Sequence, residues 1–105
     1  MNHADCCNKM RLAVSKMGGL VLEFKTGALK DQHGRLIRFG QEGASDLIAC
    51  IEGRFIAIEV KLGRDAWRPA QWKFAAAVKK AGGLHVLARF SDVEDGVETL
   101  REALA

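Results

Sequence analysis

The 105-residue chain lacks the long apolar run that a membrane-spanning helix requires. Such a helix needs about 20 consecutive apolar residues, and no segment of the sequence approaches that length. The amino-terminal segment also lacks a long apolar core and a small-residue cleavage site, so we expect no secretory signal and a cytosolic location. The length and an apolar content of 49% are typical of one soluble domain with a single modest core, which is compatible with pairing to a second copy.

Disulfide bonds are not expected either. The three cysteines are an odd number, and a cytosolic setting keeps thiols reduced. His3, Cys6 and Cys7 lie close together in sequence, but no Cys-x-x-Cys pair exists, and neighbouring cysteines rarely converge on one tetrahedral zinc ion. None of the three histidines has a convincing metal-ligand spacing, so we interpret all of them as structural or incidental.

Charge is unevenly distributed along the chain. Residues 92–105 contain five acidic residues and one basic residue, which leaves 15 basic and 8 acidic residues in the first 91 positions. An excess of positive charge suits a polyanionic partner such as a nucleic acid, although a solvated basic face has the same composition.

Hydrophobic periodicity predicts elements in the order α-β-β-β-β-α-β-α, with no linker, repeat or low-complexity segment. The first two predicted strands, 20–25 and 35–39, are expected to form a hairpin through a polar connection over 27–34. A capping box at Ser91 predicts the start of the last helix, with Val93 on its apolar side. The order predicts one α/β domain over 1–105, with a mixed sheet flanked by helices. The other predicted helices are 5–17 and 69–81, and the other predicted strands are 46–51, 54–61 and 84–89.

Glu52-Gly53 predicts a tight two-residue turn between two apolar strands. In that register Ile51 faces Arg54, and counting back along the ladder places Asp46 opposite Glu59. Directly opposed residues have Cβ atoms about 4.5–5.5 Å apart, and like charges at that distance destabilise a sheet. Charges at the end of buried strands therefore need a partner or a metal ion.

Side-chain alternation places Glu59 and Lys61 on one face of their strand, whereas Val60 points into the opposite packed layer. Two carboxylates with a backbone carbonyl and water suit Mg²⁺ or Mn²⁺. Such an ion polarises a phosphate and activates water, and Lys61 can orient that water or stabilise developing charge. The pattern indicates phosphodiester hydrolysis centred on Asp46, Glu59 and Lys61, although a surface ion pair at a strand end has the same spacing.

Three parts of the chain have the order and spacing of a known nuclease site. They are Gly43-Ala44-Ser45-Asp46-Leu47-Ile48, the strand end Ile58-Glu59-Val60-Lys61, and Gln71 early in the next helix. Together they resemble the PD-(D/E)XK nuclease superfamily and, within it, the VRR-NUC family. The resemblance extends over most of the chain, including the Lys25-Thr26-Gly27 turn and the glycine pair at 82–83, and implies a restriction endonuclease-like fold.

The resemblance also implies roles for individual residues. Asp46, Glu59 and the Val60 carbonyl would be metal ligands, Lys61 the catalytic lysine, and Gln71 a helix residue that supports the site. For Gln71, a buried polar side chain that caps a neighbouring backbone group is an alternative.

Two positions depart from the family pattern. Ser45 replaces the proline of the superfamily name. The family often has a metal-associated glutamate in its first helix, whereas the only acid here is Asp5, which we leave outside the predicted site.

Basic and aromatic residues around the site are predicted to contact DNA. Arg64, Trp67 and Arg68 follow the lysine in a loop, where such a mixture can hold a phosphate or stack a base. Core packing explains Trp67 equally well. Arg35 and Arg38 are predicted to share a strand face toward DNA, although an exposed, solvated edge also explains them. Ser45 completes the predicted DNA-binding set.

Stand-alone members of the resembled family act on branched DNA such as Holliday junctions, often as homodimers. Because one 11.5 kDa domain has one site, symmetric cutting of two strands calls for a two-fold pair. The resemblance thus implies a homodimeric, Mg²⁺- or Mn²⁺-dependent, structure-selective DNA endonuclease, in keeping with a bacterial cell and a phage or prophage origin. A non-catalytic DNA-binding module of the same fold and a restriction-like endonuclease on linear duplex are the alternatives.

Overall fold

The computed structural model describes residues 1–24, 27–40 and 43–105. Within these ranges a four-stranded sheet has the order β1-β4-β5-β6, and β2 and β3 form a separate two-stranded ribbon. No helix in the described ranges is long and apolar enough to cross a membrane. The elements are α1 (His3–Lys16), β1 (Leu20–Glu23), β2 (Gly27–Lys30), β3 (Leu36–Phe39), β4 (Leu47–Ile51), β5 (Arg54–Leu62), α2 (Pro69–Lys80), β6 (Leu84–Phe90) and α3 (Gly96–Leu104).

Strands β4 and β5 form the hairpin that positions the site. Ile51 pairs with Arg54, and the antiparallel register continues to Leu47 opposite Ile58, which confirms the predicted ladder. The two turn residues have positive φ angles, 51° at Glu52 and 77° at Gly53. This combination is that of a type I′ turn, whose twist matches the twist of the flanking strands.

The main core lies between one face of the sheet and helices α1 and α3. Ile58 and Val60 of β5 point into it and are at most 1% exposed, and they pack in one cluster with Met10 of α1 and Leu100 of α3. Fully burying a side chain of this kind contributes about 1.5–3 kcal/mol. The alternate residues of β5, which carry the charged groups, are thereby held on the opposite face of the strand.

Helix α2 covers that opposite face. Its Phe74 ring lies 6.5 Å, centroid to centroid, from His85 of β6, whereas Val86 beside His85 points into the main core. Strands β5 and β6 are parallel, and α2 is the crossover that parallel strands require. The first turn of α2 therefore lies close to the end of β5.

The predicted pairing of the first two strands is wrong. Strand β1 pairs antiparallel with β4, Leu20 opposite Cys50, and the segment expected to be a turn-rich connection contains β2, which pairs with β3. Leu29 in β2 is 67% exposed, so this strand lacks the apolar alternation that half-buried strands show in sequence. The predicted end of the first strand at Lys25, and the Lys25-Thr26 part of the turn, lie outside the described residues.

The predicted start of the last helix is also wrong. The Ser91 hydroxyl accepts hydrogen bonds from the backbone N–H groups of Val93 and Glu94, at 3.2 and 3.1 Å, but this forms a local turn only. Helix α3 begins at Gly96, and its N-cap Asp95 accepts a bond from the Val97 N–H. Val93 is consequently 91% exposed and not on an apolar helix face.

Candidate metal-binding and catalytic site

A cleft of about 1010 Å³ opens between the first turns of α1 and α2, beside the end of β5. All five residues of the predicted reaction centre line it: Asp46, Glu59, Val60, Lys61 and Gln71. They come from the residue before β4, from consecutive positions of β5 and from the first turn of α2. The fold thus brings together residues that the sequence separates by up to 25 positions.

Asp46 is fixed through the backbone of both neighbouring strands. Its Oδ2 accepts a hydrogen bond from the Val60 N–H at 2.8 Å, and its own carbonyl accepts one from the Phe24 N–H at 2.9 Å. Its other carboxylate oxygen, Oδ1, lies 3.3 Å from Nε2 of His3. The carboxylate is therefore held at the end of the hairpin with one oxygen turned toward α1.

Glu59 is 4% exposed, on the same side of the hairpin end as Asp46. Burial first, and then the negative charge of Asp46, raise the pKa of Glu59 from 4.5 to about 8, while the positive charge of Lys61 opposes the rise. Lys61 is itself 8% exposed, with its Nζ 3.9 Å from Oε1 of Glu59. A single ammonium group does not compensate two neighbouring carboxylates, so a cation bound here would be stabilised by the excess negative charge.

Gln71 connects the first turn of α2 to the site. Its Nε2 donates to Oε1 of Glu59 at 2.9 Å, and its Oε1 accepts from the backbone N–H of Arg68 at 2.9 Å. The second bond satisfies a backbone donor at the start of the helix, in the manner of a glutamine at position N3. Gln71 was interpreted either as a residue that supports the site or as a helix cap. Its amide makes the contacts of both, because it caps α2 and also orients Glu59.

Sequence reasoning missed Arg89, which supports the loop after β5. Its Nη1 donates to the carbonyls of Gly63 at 2.8 Å and Asp65 at 2.9 Å. The parallel register places Arg89 beside Lys61, on the strand face that α2 covers. An arginine that binds two loop carbonyls holds the connection between Lys61 and α2 in one conformation.

Sequence reasoning also misinterpreted His3. Its Nε2 lies 3.3 Å from Oδ1 of Asp46 and 3.2 Å from the Val60 carbonyl, so this histidine belongs to the site. Cys7, one helical turn further along α1, has its Sγ 3.7 Å from Nδ1 of His3. Burial first, and then the negative charge of Asp46, raise the pKa of the Cys7 thiol to about 12. The separation of four residues, which puts two side chains on one helix face, is the signal that could have identified the pair.

Two other residues in the first turn of α1, Asp5 and Cys6, do not line the cleft. Asp5 is exposed and caps the helix: its Oδ2 accepts from the Asn2 N–H, and its own N–H donates to the Asn2 side chain. Cys6 is fully buried in the main core. The first helix therefore offers a histidine and a thiol to the site, and no carboxylate.

The position of Ser45 does not favour the predicted contact with DNA. Ser45 is 1% exposed, and its hydroxyl lies 3.1 Å from Nε2 of His85 in the layer beneath α2. Trp67 packs on the protein itself, with its ring 4.3 Å from Trp72 and 5.3 Å from His85, centroid to centroid. These contacts agree with the packing interpretation of Trp67.

The two arginines of the ribbon do not share a face. Asp31 N–H donates to the Arg35 carbonyl at 2.9 Å, which extends the β2–β3 ladder by one pair beyond Leu36. Arg35 and Arg38 are three positions apart, and side chains alternate, so they project to opposite faces. Arg35 is also paired with Asp31, Nε to Oδ2 at 3.0 Å.

Other basic side chains are better placed around the cleft. Arg64 and Arg68 are exposed, and Arg68 lines the cleft. Arg11 of α1 also lines it, 3.7 Å from Glu23, and was not predicted from the sequence. Basic groups from α1 and from the loop before α2 thus flank the acidic centre.

No family model matches the chain, and no curated protein sequence matches it. Among solved structures it is similar to a VRR_NUC domain, with a TM-score of 0.67 and 22% identity, over 95% of this chain and 94% of that one. It is also similar to Hjc, a Holliday junction resolvase of the archaeal hyperthermophile Archaeoglobus fulgidus. That match has a TM-score of 0.55 and 12% identity, over 83% of this chain and 66% of that one. The predicted restriction endonuclease-like α/β core is confirmed, and the chain has the fold of a VRR_NUC domain.

Proposed function

We propose that the chain is a VRR-NUC nuclease that hydrolyses phosphodiester bonds in DNA with the help of Mg²⁺ or Mn²⁺. The observation that carries the proposal is the convergence of Asp46, Glu59 and Lys61 at one end of a buried hairpin, inside a cleft. The likeness of the fold to a VRR_NUC domain and to a Holliday junction resolvase supports it.

The donor set fits a hard divalent cation. Asp46 and Glu59 supply carboxylate oxygens, and the carbonyl of Val60, the next residue after Glu59, is a neutral oxygen donor; all three residues line the same cleft. Oxygen ligands of this kind, completed by water, are those of Mg²⁺ and Mn²⁺. The high pKa of Glu59 agrees with the fit, because two carboxylates that repel one another in a buried place are stabilised by a cation.

The bound ion would supply Lewis acidity and lower the pKa of a coordinated water. The protein supplies position and charge. Lys61 projects into the cleft on the same strand face as Glu59, where its ammonium can donate to an attacking water or to a phosphate oxygen that gains charge. Gln71 holds the Glu59 carboxyl through its amide, and Arg89 holds the loop that leads to Gln71.

DNA is the proposed substrate because basic groups flank the acidic centre. Arg11 and Arg68 line the cleft, and Arg64 is exposed in the loop that ends at Arg68, so the three can bind phosphates. Such contacts position a duplex without reading its sequence. Preference for branched DNA is proposed from the resolvase likeness. This preference agrees with arginines that bind phosphates and do not read a base sequence.

A homodimer is proposed as the active assembly. Strand β1 lies at one edge of the sheet, and large apolar side chains are exposed along β1 and the β2–β3 ribbon. Exposed apolar surface of this kind marks interaction sites, and a two-fold pair would present two clefts to the two strands of a junction. The exposed side chains are Leu20, Leu22, Leu29, Leu36 and Ile37.

Cleavage of a labelled four-way junction, a flap and a linear duplex of matched sequence tests the proposal. We expect the junction to be cut in Mg²⁺ or Mn²⁺ and to stay intact with a chelator. Asp46→Ala, Asp46→Asn and Lys61→Ala should each reduce cleavage by about 10²-fold or more while retaining DNA binding. The asparagine variant keeps an oxygen to accept the Val60 N–H bond, so its effect is separable from misfolding. Lys80→Ala, on the exposed face of α2, is the matched control and should cut normally.

Two outcomes would overturn parts of the proposal. Wild-type protein that binds every substrate and cuts none of them in either metal would be a non-catalytic DNA-binding module. Equal cleavage of linear duplex and junction would favour a restriction-like endonuclease.

A further inference from the structure

We propose that His3, Cys7 and Asp46 form a site for a borderline-soft divalent ion, Zn²⁺ or Co²⁺. The site would provide one imidazole nitrogen, one thiolate and one carboxylate oxygen as ligands. The potential ligand atoms of these three residues all lie within 4.8 Å of one another. The donor set differs from the all-oxygen set of Asp46, Glu59 and Val60, and two of its members come from α1.

The distances fit a tetrahedral ion without rearrangement of the backbone. Zinc bonds of about 2.3 Å to sulfur and about 2.0–2.2 Å to nitrogen and oxygen put tetrahedral sulfur and nitrogen ligands about 3.5 Å apart, and nitrogen and oxygen ligands about 3.4 Å apart. Nε2 of His3 lies 3.3 Å from Oδ1 of Asp46 and 4.0 Å from Sγ of Cys7. The nitrogen–oxygen edge already has the required length, and a shift of about half an ångström in the Cys7 or His3 side chain closes the nitrogen–sulfur edge. The third edge, from Sγ of Cys7 to the Asp46 carboxylate, is at most 4.8 Å and closes with the same movement of Cys7.

The protein holds these ligands in place before an ion arrives. The Asn2–Asp5 capping box fixes the first turn of α1, and Asp46 accepts the backbone N–H of Val60 through the oxygen that the proposed site does not use. Cys7 is 9% exposed, on the inner wall of the cleft. Three protein ligands leave a fourth position, which faces the cleft and can take water, as in open zinc sites.

Ligand chemistry decides which ions this site selects. A thiolate and an imidazole favour Zn²⁺ and Co²⁺, whereas Mg²⁺ demands oxygen ligands and keeps its water. Binding would convert the Cys7 thiol to a metal-bound thiolate and release its proton to solvent. Zn²⁺ or Co²⁺ would therefore bind Asp46 together with His3 and Cys7. Mg²⁺ or Mn²⁺ would bind Asp46 together with Glu59.

One consequence rests on the proposed nuclease function. Because Asp46 belongs to both donor sets, an ion bound by His3 and Cys7 would withdraw one carboxylate oxygen from the Mg²⁺ or Mn²⁺ position. Zn²⁺ should then lower junction cleavage measured in Mg²⁺, and Cys7→Ser should relieve that inhibition.

Titration of the full chain with Co²⁺, followed by absorbance, tests the site independently of activity. Tetrahedral Co²⁺ with a thiolate ligand gives a sulfur-to-cobalt charge-transfer band in the near ultraviolet and d–d bands in the visible. We expect both sets of bands in the wild type, their loss on addition of Zn²⁺, and their persistence with excess Mg²⁺. Cys7→Ser should lose the charge-transfer band, whereas Cys50→Ser, which removes an exposed thiol, should retain it.

His3→Gln provides a second arm, because the His3 side chain is 49% exposed and its replacement should not disturb folding. We expect it to weaken Co²⁺ binding by about tenfold or more. Absence of the charge-transfer band in the wild type, or its survival in Cys7→Ser, would overturn the proposal, and loss of the band in Cys50→Ser would place the ion elsewhere. Glu59→Gln should keep the cobalt spectrum while losing junction cleavage, so failure of the nuclease proposal and failure of this site are distinguishable.

Discussion

Glu59→Gln should stabilise the metal-free protein while removing its proposed function. The substitution keeps the shape of the side chain and an oxygen that can accept from Nε2 of Gln71. It removes a carboxylate that lies beside Asp46 in a place that is 4% exposed. The variant therefore separates the energetic penalty of the charge from the geometry of the site.

The sign and size of the effect follow from the pKa of Glu59, which is raised from 4.5 to about 8. Between these values the folded state binds more protons at Glu59 than the unfolded state, so the free energy of unfolding falls as pH rises. Above about 8 the folded protein carries the full penalty. At about 1.4 kcal/mol per pKa unit, the upper limit is about 5 kcal/mol. The substitution also leaves the buried Lys61 ammonium without this carboxylate, which costs stability, so we expect a difference below that limit.

Urea unfolding of wild type and Glu59→Gln in a chelator, at about pH 4 and about pH 9, measures the difference. The excess stability of the variant should be small at the lower pH and largest at the higher pH. Glu102→Gln, which changes an exposed glutamate of α3, should show no such pH dependence. Mn²⁺ at 100 times its Kd should reduce the excess stability of the variant, because it stabilises the wild type by about 2.7 kcal/mol. A variant that is no more stable than wild type at high pH would refute the reasoning.

Three further substitutions test the supports of the site. Gly43→Ala should lower the free energy of unfolding by about 1–3 kcal/mol, because φ is +79° and the new Cβ would overlap the Ala70 carbonyl. Gly82→Ala, which is also at positive φ but in open space, should lower it less in the same urea titration. Gln71→Met should weaken Mn²⁺ binding by about 10–100-fold in calorimetric titration, and unchanged affinity would exclude a positioning role. Arg89→Met should raise amide exchange in the loop over 63–65, which protection equal to wild type would contradict.

Local patterns made the centre of the site predictable. A Glu52-Gly53 turn fixes a two-residue hairpin, and a period of two along each strand then places Asp46 beside Glu59, with Lys61 on the same face. The structure has that register and that turn. The same logic failed at Arg35 and Arg38, where an odd separation was assigned to one face.

Long-range pairings were not predictable from these patterns. Strand β1 and the β2–β3 ribbon expose many of their apolar side chains, so burial imposes no alternation on their sequence. Partner choice for β1 depends on β4, more than twenty residues later, and no local turn signal encodes it. The sequence analysis therefore assigned β2 to a polar connection and only β3 to a strand.

The sequence alone determined the fold class, the β4–β5 hairpin and the acidic pair with its lysine, because local turn residues and the helical or two-residue periodicity of apolar side chains control all three. Tertiary structure decided that His3 and Cys7 of α1 face Asp46, and that Gln71 and Arg89 support the site from α2 and β6. The physical reason is that helix packing on a sheet depends on the shape of the whole core. The distance between α1 and the hairpin end is set by side chains such as Met10, Val60 and Leu100, which lie far apart in sequence and meet only in the folded protein.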